Sequence, residues 1–198
     1  MNPSIASHLL AVYRLLPKTY RLPLLVLDAT GMRVGELEAL RWGDVDEPGC
    51  RWRVSGTTAK TRQGRLVPVD PTVFAAVVAL VPREDRDPDA RVFPKFVAHS
   101  FRQALGRACK AAAVPAFSPH DLRHPRCTLW QLDGVPTIMG AQRAGHSAQE
   151  HMRTYGHAML ADRTELDYAE VLDSGQERSH GGVTVRHGFA ESAHFQRS

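Results

Sequence analysis

Apolar residues recur three and four positions apart along most of the chain and give way to alternation in one short region. Ile5, Leu9, Val12, Leu15 and Leu16 keep a helical spacing. The stretch RLPLLVLDATG (21–31) is apolar on almost every side, which predicts a buried helix ending at Gly31. Val34, Leu37 and Leu40 share one face of a following helix, which RWGDVD (41–46) ends. CRWRVSG (50–56) then alternates bulky and polar residues and predicts a strand, and RLVPVD (65–70) a second. TTAKTRQG (57–64) between them predicts a hairpin turn with Gly64 near its end.

The helical period returns at PTVFAAVVALV (71–81), where Pro71 suits a first turn. A loop with Pro82 and Pro88 follows. In VAHSFRQALGRACKAAA (97–113), Phe101, Ala104, Leu105 and Ala108 line one face, and Gln103, Arg107 and Lys110 another. Ser118 and Pro119 supply the cap and first position of the next helix, which Gly134 closes. Three further helices are predicted over VPTIMGAQRAGHS (135–147), AQEHMRTYGH (148–157) and LADRTELDYAEVLD (160–173). From Ser174 onward Gly, Ser, His and charge dominate, which predicts a flexible polar tail over 174–198. The expected fold is α+β and mostly helical, one domain over 1–173 with a small antiparallel β-sheet.

Composition changes this picture little. The 198 residues fit one domain with a tail, and 43% apolar content supports a core. The net charge is only +4, but it is segregated. Between Arg51 and Leu66 stand five basic residues and no acidic one; between Lys95 and Arg126, six basic residues face Asp121 alone. Such segregation suits a polyanion on one face. Three widely spaced cysteines (Cys50, Cys109, Cys127) make no disulfide framework, and no strong metal spacing is present. No signal peptide and no apolar run of bilayer length are found, so a cytoplasmic protein without membrane contact is expected.

Six residues carry candidate chemistry: Arg33, Lys60, His120, Arg123, His146 and Tyr155. Two arginines can clamp the non-bridging oxygens of a phosphodiester with planar donor forks. A lysine on a hairpin can protonate a departing alkoxide, a histidine can move a proton, and a tyrosine oxygen can attack. Taken singly, each has a plainer explanation. Arg33 can pair with Glu36 three residues on. His120 and Arg123, at i and i+3, can form an exposed polar helix face.

Order and spacing together resemble the catalytic domain of the tyrosine recombinase (phage integrase) family. TGMRVGELEALRWGDVD is similar to the family's first arginine box, which implies a catalytic Arg33 supported by Glu36. TAKTRQGRLVPV resembles the hairpin that carries the catalytic lysine, here Lys60. HDLRH matches the His-x-x-Arg box with its trailing histidine, giving His120, Arg123 and His124. AGHSAQEHMRTYGH resembles the last box, in which a Gly-His pair precedes the nucleophile, giving His146 and Tyr155. The resemblance runs from about Leu22 to Leu172. It implies attack by the tyrosine on a scissile phosphate, a 3′-phosphotyrosyl link and a free 5′-hydroxyl, with no metal ion, ATP or other cofactor. His120 is expected to take the phenolic proton. Double-stranded DNA is the expected partner, with self-association into a tetramer on it. Arg62, Arg65, Gln103, Arg107 and Lys110 are the expected DNA contacts. A DNA-binding relic without turnover and a type IB topoisomerase-like relaxase are the competing readings.

Four features depart from the family pattern. Pro125 removes a backbone donor near Asp121 and is expected to kink its helix. Ala144 stands where a large apolar residue is usual before the Gly-His pair, and Gly140 weakens the same helix. The family region begins almost at Met1, so the separate helical core-binding domain that usually precedes it is expected to be absent.

Overall fold

The computed structural model describes residues 5–55, 64–155 and 166–174. The expected hairpin turn with Lys60 and Arg62, the first part of the last predicted helix and the stretch beyond 174 lie outside the described residues.

Helix α1 (Ile5–Leu15) lies against α2 (Lys18–Thr30), the centre of the core. Leu24, Leu25, Val26 and Leu27 of α2 are all fully buried, as their unbroken apolar run requires. Gly31 ends this helix with φ +60°, and its N–H closes on the Leu27 carbonyl at 2.9 Å. The left-handed turn releases the chain at once into α3 (Val34–Ala39).

The sheet has three antiparallel strands in the order β1 (Val45–Asp46), β2 (Arg51–Val54), β3 (Arg65–Pro68). The pattern missed β1: RWGDVD is a 3₁₀ turn at Trp42–Asp44 followed by two residues that pair with Trp52 and Arg51. Alternation in β2 is strict, with Trp52 and Val54 buried and Arg51 and Arg53 exposed. Trp52 stacks on Phe74 of α4 (Pro71–Val78), a helix that Asp70 caps through the Thr72 and Val73 N–H groups. Pro68 sits on an edge strand, where a missing donor costs least.

Helix α5 (Ala98–Ala111) buries Phe101, Ala104, Leu105 and Ala108 and leaves Gln103, Arg107 and Lys110 exposed, as its pattern predicts. Helix α6 (Pro119–Leu132) runs through Pro125 as one element. It packs on α2, and a buried polar knot joins the two. Arg126 donates to the Asp28 carbonyl (2.8 Å) and to the Tyr168 hydroxyl (2.6 Å), and that hydroxyl donates to the Asp28 carboxylate (2.7 Å). Tyr168 opens α9 (Tyr168–Ser174), so the knot also fastens the last helix. α9 does not extend back over Leu166 and Asp167 as predicted, because the Asp167 carboxylate caps it by accepting from the Ala169 and Glu170 N–H groups. Between α6 and α9 lie α7 (Thr137–Ala144) and α8 (Ala148–Tyr155), packed on each other.

Candidate active site

Four elements converge on the turn that ends α7. Gly145 adopts φ +70°, and a side chain there would also meet the Arg65 guanidinium at 2.9 Å. Glycine is required twice over, by conformation and by space.

Arg33 stands at the start of α3. Its backbone N–H and one guanidinium nitrogen donate to Glu36, at 2.8 and 2.9 Å, and the other terminal nitrogen donates to the Gly145 carbonyl at 2.9 Å. Its side chain keeps 30% exposure, against 1% for Glu36. Glu36 is therefore buried between two arginines. Burial alone would raise its pKa; the hydrogen bonds and charge of Arg65, with the bonds from Arg33, reverse this and hold it below the usual carboxylate range.

Arg65 is among the expected DNA contacts, and its side chain is only 7% exposed. It donates to both Glu36 oxygens, at 3.0 and 2.7 Å, and to the Arg143 carbonyl at 2.9 Å. Three of its five N–H groups are committed in this way, and they brace Glu36 and the end of α7.

Helix α6 starts with Ser118 and Asp121 exchanging hydrogen bonds, which aligns its first turns. One turn on, Arg123 is 3% exposed. It donates to the carbonyls of Gly31 (2.8 Å) and Ala144 and lies 3.3 Å from His146 Nδ1. Burial and then the Arg33 charge lower its pKa from the ordinary value. A guanidinium stays protonated in any protein, so a buried positive charge sits here bonded to carbonyls, with Glu36 acting on it and no direct ion pair among the described residues. That is a surplus an anion would relieve. Arg33, Arg102 and His120 line an adjoining cleft of about 530 Å³. Arg102 was not singled out by sequence; it stands beside Gln103 on α5 with nothing in the pattern to distinguish it.

Tyr155 ends α8 with 6% exposure, packed with Cys127, Trp130 and Ala144. Its hydroxyl lies 3.0 Å from His124 Nδ1. The imidazole in contact with the phenol is thus the trailing histidine, not His120. His120 is exposed and stands edge-on to His124, ring centres 5.1 Å apart. Burial, then the neighbouring Cys127 thiol, push the Tyr155 pKa well above its ordinary value.

His146 stacks on Tyr155 with ring centres 6.0 Å apart. Burial, then Arg123, then His151 lower its pKa to about 4. Its Nε2 lies 2.7 Å from Nδ1 of His151, a fully buried residue that sequence reasoning missed. Gly140 explains the fit. A side chain there would meet His151 Nε2 at 2.8 Å, so the glycine that weakens α7 also makes room for an imidazole.

The model of the phage integrase family matches residues 3–161. This chain belongs to the phage integrase family. Prophage integrase IntF of Escherichia coli (strain K12) is 34% identical over 140 residues, which cover 65% of this chain and 29% of that protein. Tyrosine recombinase XerC of Corynebacterium glutamicum is 32% identical over 140 residues, covering 67% of this chain and 44% of the relative. The chain thus spans less than half the length of these two relatives. Among solved structures, the Tn1549 transposon integrase in complex with transposon right end DNA has a TM-score of 0.64 at 21% identity, covering 79% of this chain and 61% of that one. The phage integrase fold accounts for the convergence just described: α3, β3, α6 and α8 each deliver side chains to the α7 terminus.

Proposed function

We propose that this chain cuts and rejoins double-stranded DNA as a site-specific recombinase, with Tyr155 as nucleophile. The observation that carries the reading is the pair of arginines, Arg33 and Arg123, bonded to the successive carbonyls of Gly145 and Ala144 beside His146. Two forked cations and an imidazole around one turn suit a pentacoordinate phosphate, whose equatorial oxygens gather charge as the reaction proceeds.

In this mechanism the Tyr155 oxygen attacks phosphorus and the bond to the 5′-oxygen breaks. The phenolic proton passes to His124 and the departing 5′-oxygen takes a proton from Lys60. A 5′-hydroxyl from a partner strand later reverses the step, and the bond energy is conserved in the 3′-phosphotyrosyl link. Glu36 and Arg65 serve by fixing Arg33. The buried, high-pKa phenol is a poor nucleophile as it stands, so DNA binding must expose it to the arginines before attack. Exchange between two sites requires several protomers, and a tetramer on DNA belongs to the proposal. The transposon integrase bound to its transposon end supports DNA as the partner.

A 5′-bridging sulfur tests the division of roles, because a thiolate leaves without a proton. Lys60→Ala should cleave ordinary DNA poorly and recover on this substrate. Arg33→Ala and Arg123→Ala should recover much less, since their charge acts on the phosphate itself. Equal rescue of all three would remove Lys60 from the acid role.

A further inference from the structure

The pair His146–His151 has a direction that can be read from its neighbours. The Arg123 guanidinium can only donate, so His146 Nδ1, 3.3 Å away, is the acceptor. In neutral imidazole the proton then sits on His146 Nε2, which faces His151 Nδ1 at 2.7 Å. His151 must accept there and carry its own proton on Nε2. Among the described residues that second nitrogen is buried without a hydrogen-bond partner, pressed against Gly140.

This is an expensive way to fill space. An orphaned buried N–H carries a desolvation penalty that an aliphatic side chain of similar volume does not. Gly140 gives up helix propensity as well to admit the ring. Packing does not account for a histidine here; the bond to His146 does. His151 also lies against Tyr155, ring centres 4.8 Å apart, so the same imidazole touches both residues that the reading above brings to the phosphate.

We infer that His151 is a positioning residue for His146: it selects the Nε2–H tautomer and holds that donor in place until a phosphate oxygen takes it over. The tautomer matters because only a protonated nitrogen can donate to the phosphate. His151 need not touch DNA. The inference rests on the reading above only in supposing that His146 meets the phosphate; the tautomer itself can be observed without DNA.

The test uses the full chain labelled with ¹⁵N-histidine and read by two-bond proton–nitrogen correlation at neutral pH. In the unmodified protein His146 should show a protonated Nε2, an unprotonated Nδ1 and a downfield, exchange-protected Nε2 proton. His151→Leu fills the space without an acceptor, so His146 should lose that protection and populate both tautomers. His151→Asn keeps an acceptor near the Nδ1 position and should restore the signature. Single-turnover cleavage of a nicked duplex should follow, falling on the order of 10- to 100-fold in His151→Leu and recovering in His151→Asn, as for other partners that orient a histidine. Non-covalent DNA affinity should be unchanged in both. A proton on His146 Nδ1 in the unmodified protein overturns the inference, and that reading stands even if His151→Leu does not fold. So does equal cleavage by His151→Leu and the unmodified chain, or an equal fall in both variants. If the unmodified chain cleaves no DNA while its tautomer is as expected, the recombinase reading fails and the positioning does not.

Discussion

Arg65 donates to both carboxylate oxygens of Glu36, at 3.0 and 2.7 Å, across 29 residues of sequence. Through that carboxylate it fixes Arg33, and through the Arg143 carbonyl it fixes the end of α7. Removing it leaves a buried carboxylate with half its partners. Arg65→Ala should therefore destabilise the domain by about 3–5 kcal/mol in urea unfolding. Arg65→Lys should recover little of this, because a single ammonium cannot replace a bidentate fork. Exposed Arg107 makes the contrast. Arg107→Ala should change stability by under about 0.5 kcal/mol and lower the salt slope of DNA binding by about 0.9. An Arg65→Ala protein that kept its stability and changed its salt slope would restore Arg65 to the DNA surface.

Tyr168 lies outside every motif, yet its hydroxyl joins Arg126 to Asp28 inside the core. Tyr168→Phe should cost about 1–3 kcal/mol of stability, the penalty for orphaning buried polar groups. It should leave DNA cleavage at permissive temperature intact. A thermal melt and a cleavage assay on one preparation separate the two effects; a stable but inactive variant would contradict this account.

Acid should unfold the domain early. The folded chain holds His146 at about 4, below the ordinary 6.5, and lowers His120 and His151 in the same direction. Between those pH values the unfolded chain binds more protons than the folded one, so stability falls as pH drops below 6.5 and the His146 contribution levels off near 4. Glu36 acts in the same sense, since its lowered pKa gives stability that is lost as pH falls through the folded value. The apparent Tm should decline steadily below about pH 6.5, and His146→Gln should flatten the upper part of that decline. A Tm independent of pH down to 4 would show that these imidazoles are free in solution.

The helices were legible because their apolar residues keep the helical period over many turns, and Ser118-Pro119 marks a start in two residues. β1 was not, since two residues carry no period and its pairing is set by β2. The start of α9 was not, because an aspartate inside a polar stretch reads the same whether it caps or is solvated. At the site, the arginine boxes and the Gly-His-to-Tyr spacing pointed to residues that do meet in space. The bond of Arg65 to Glu36 was not legible because the two lie 29 residues apart in sequence. His151 was missed because α8 is polar along most of its length; its one signal was Gly140, a glycine inside a helix with no turn to explain it. His124 was named only as a trailing histidine, though it follows Arg123 by one position and so turns toward α8 and the phenol.

The most direct test of the account is the phenolic oxygen of Tyr155. A nicked duplex that loses its 5′-fragment traps any covalent intermediate. The unmodified chain should form a protein–DNA adduct that survives denaturation, in chelator and without ATP. Tyr155→Phe keeps the ring and its packing against Cys127 and Trp130 but deletes the oxygen, so it should form no adduct while binding DNA as before. An adduct of undiminished yield with Tyr155→Phe, or none with the unmodified chain on its own recombination site, would contradict the assignment.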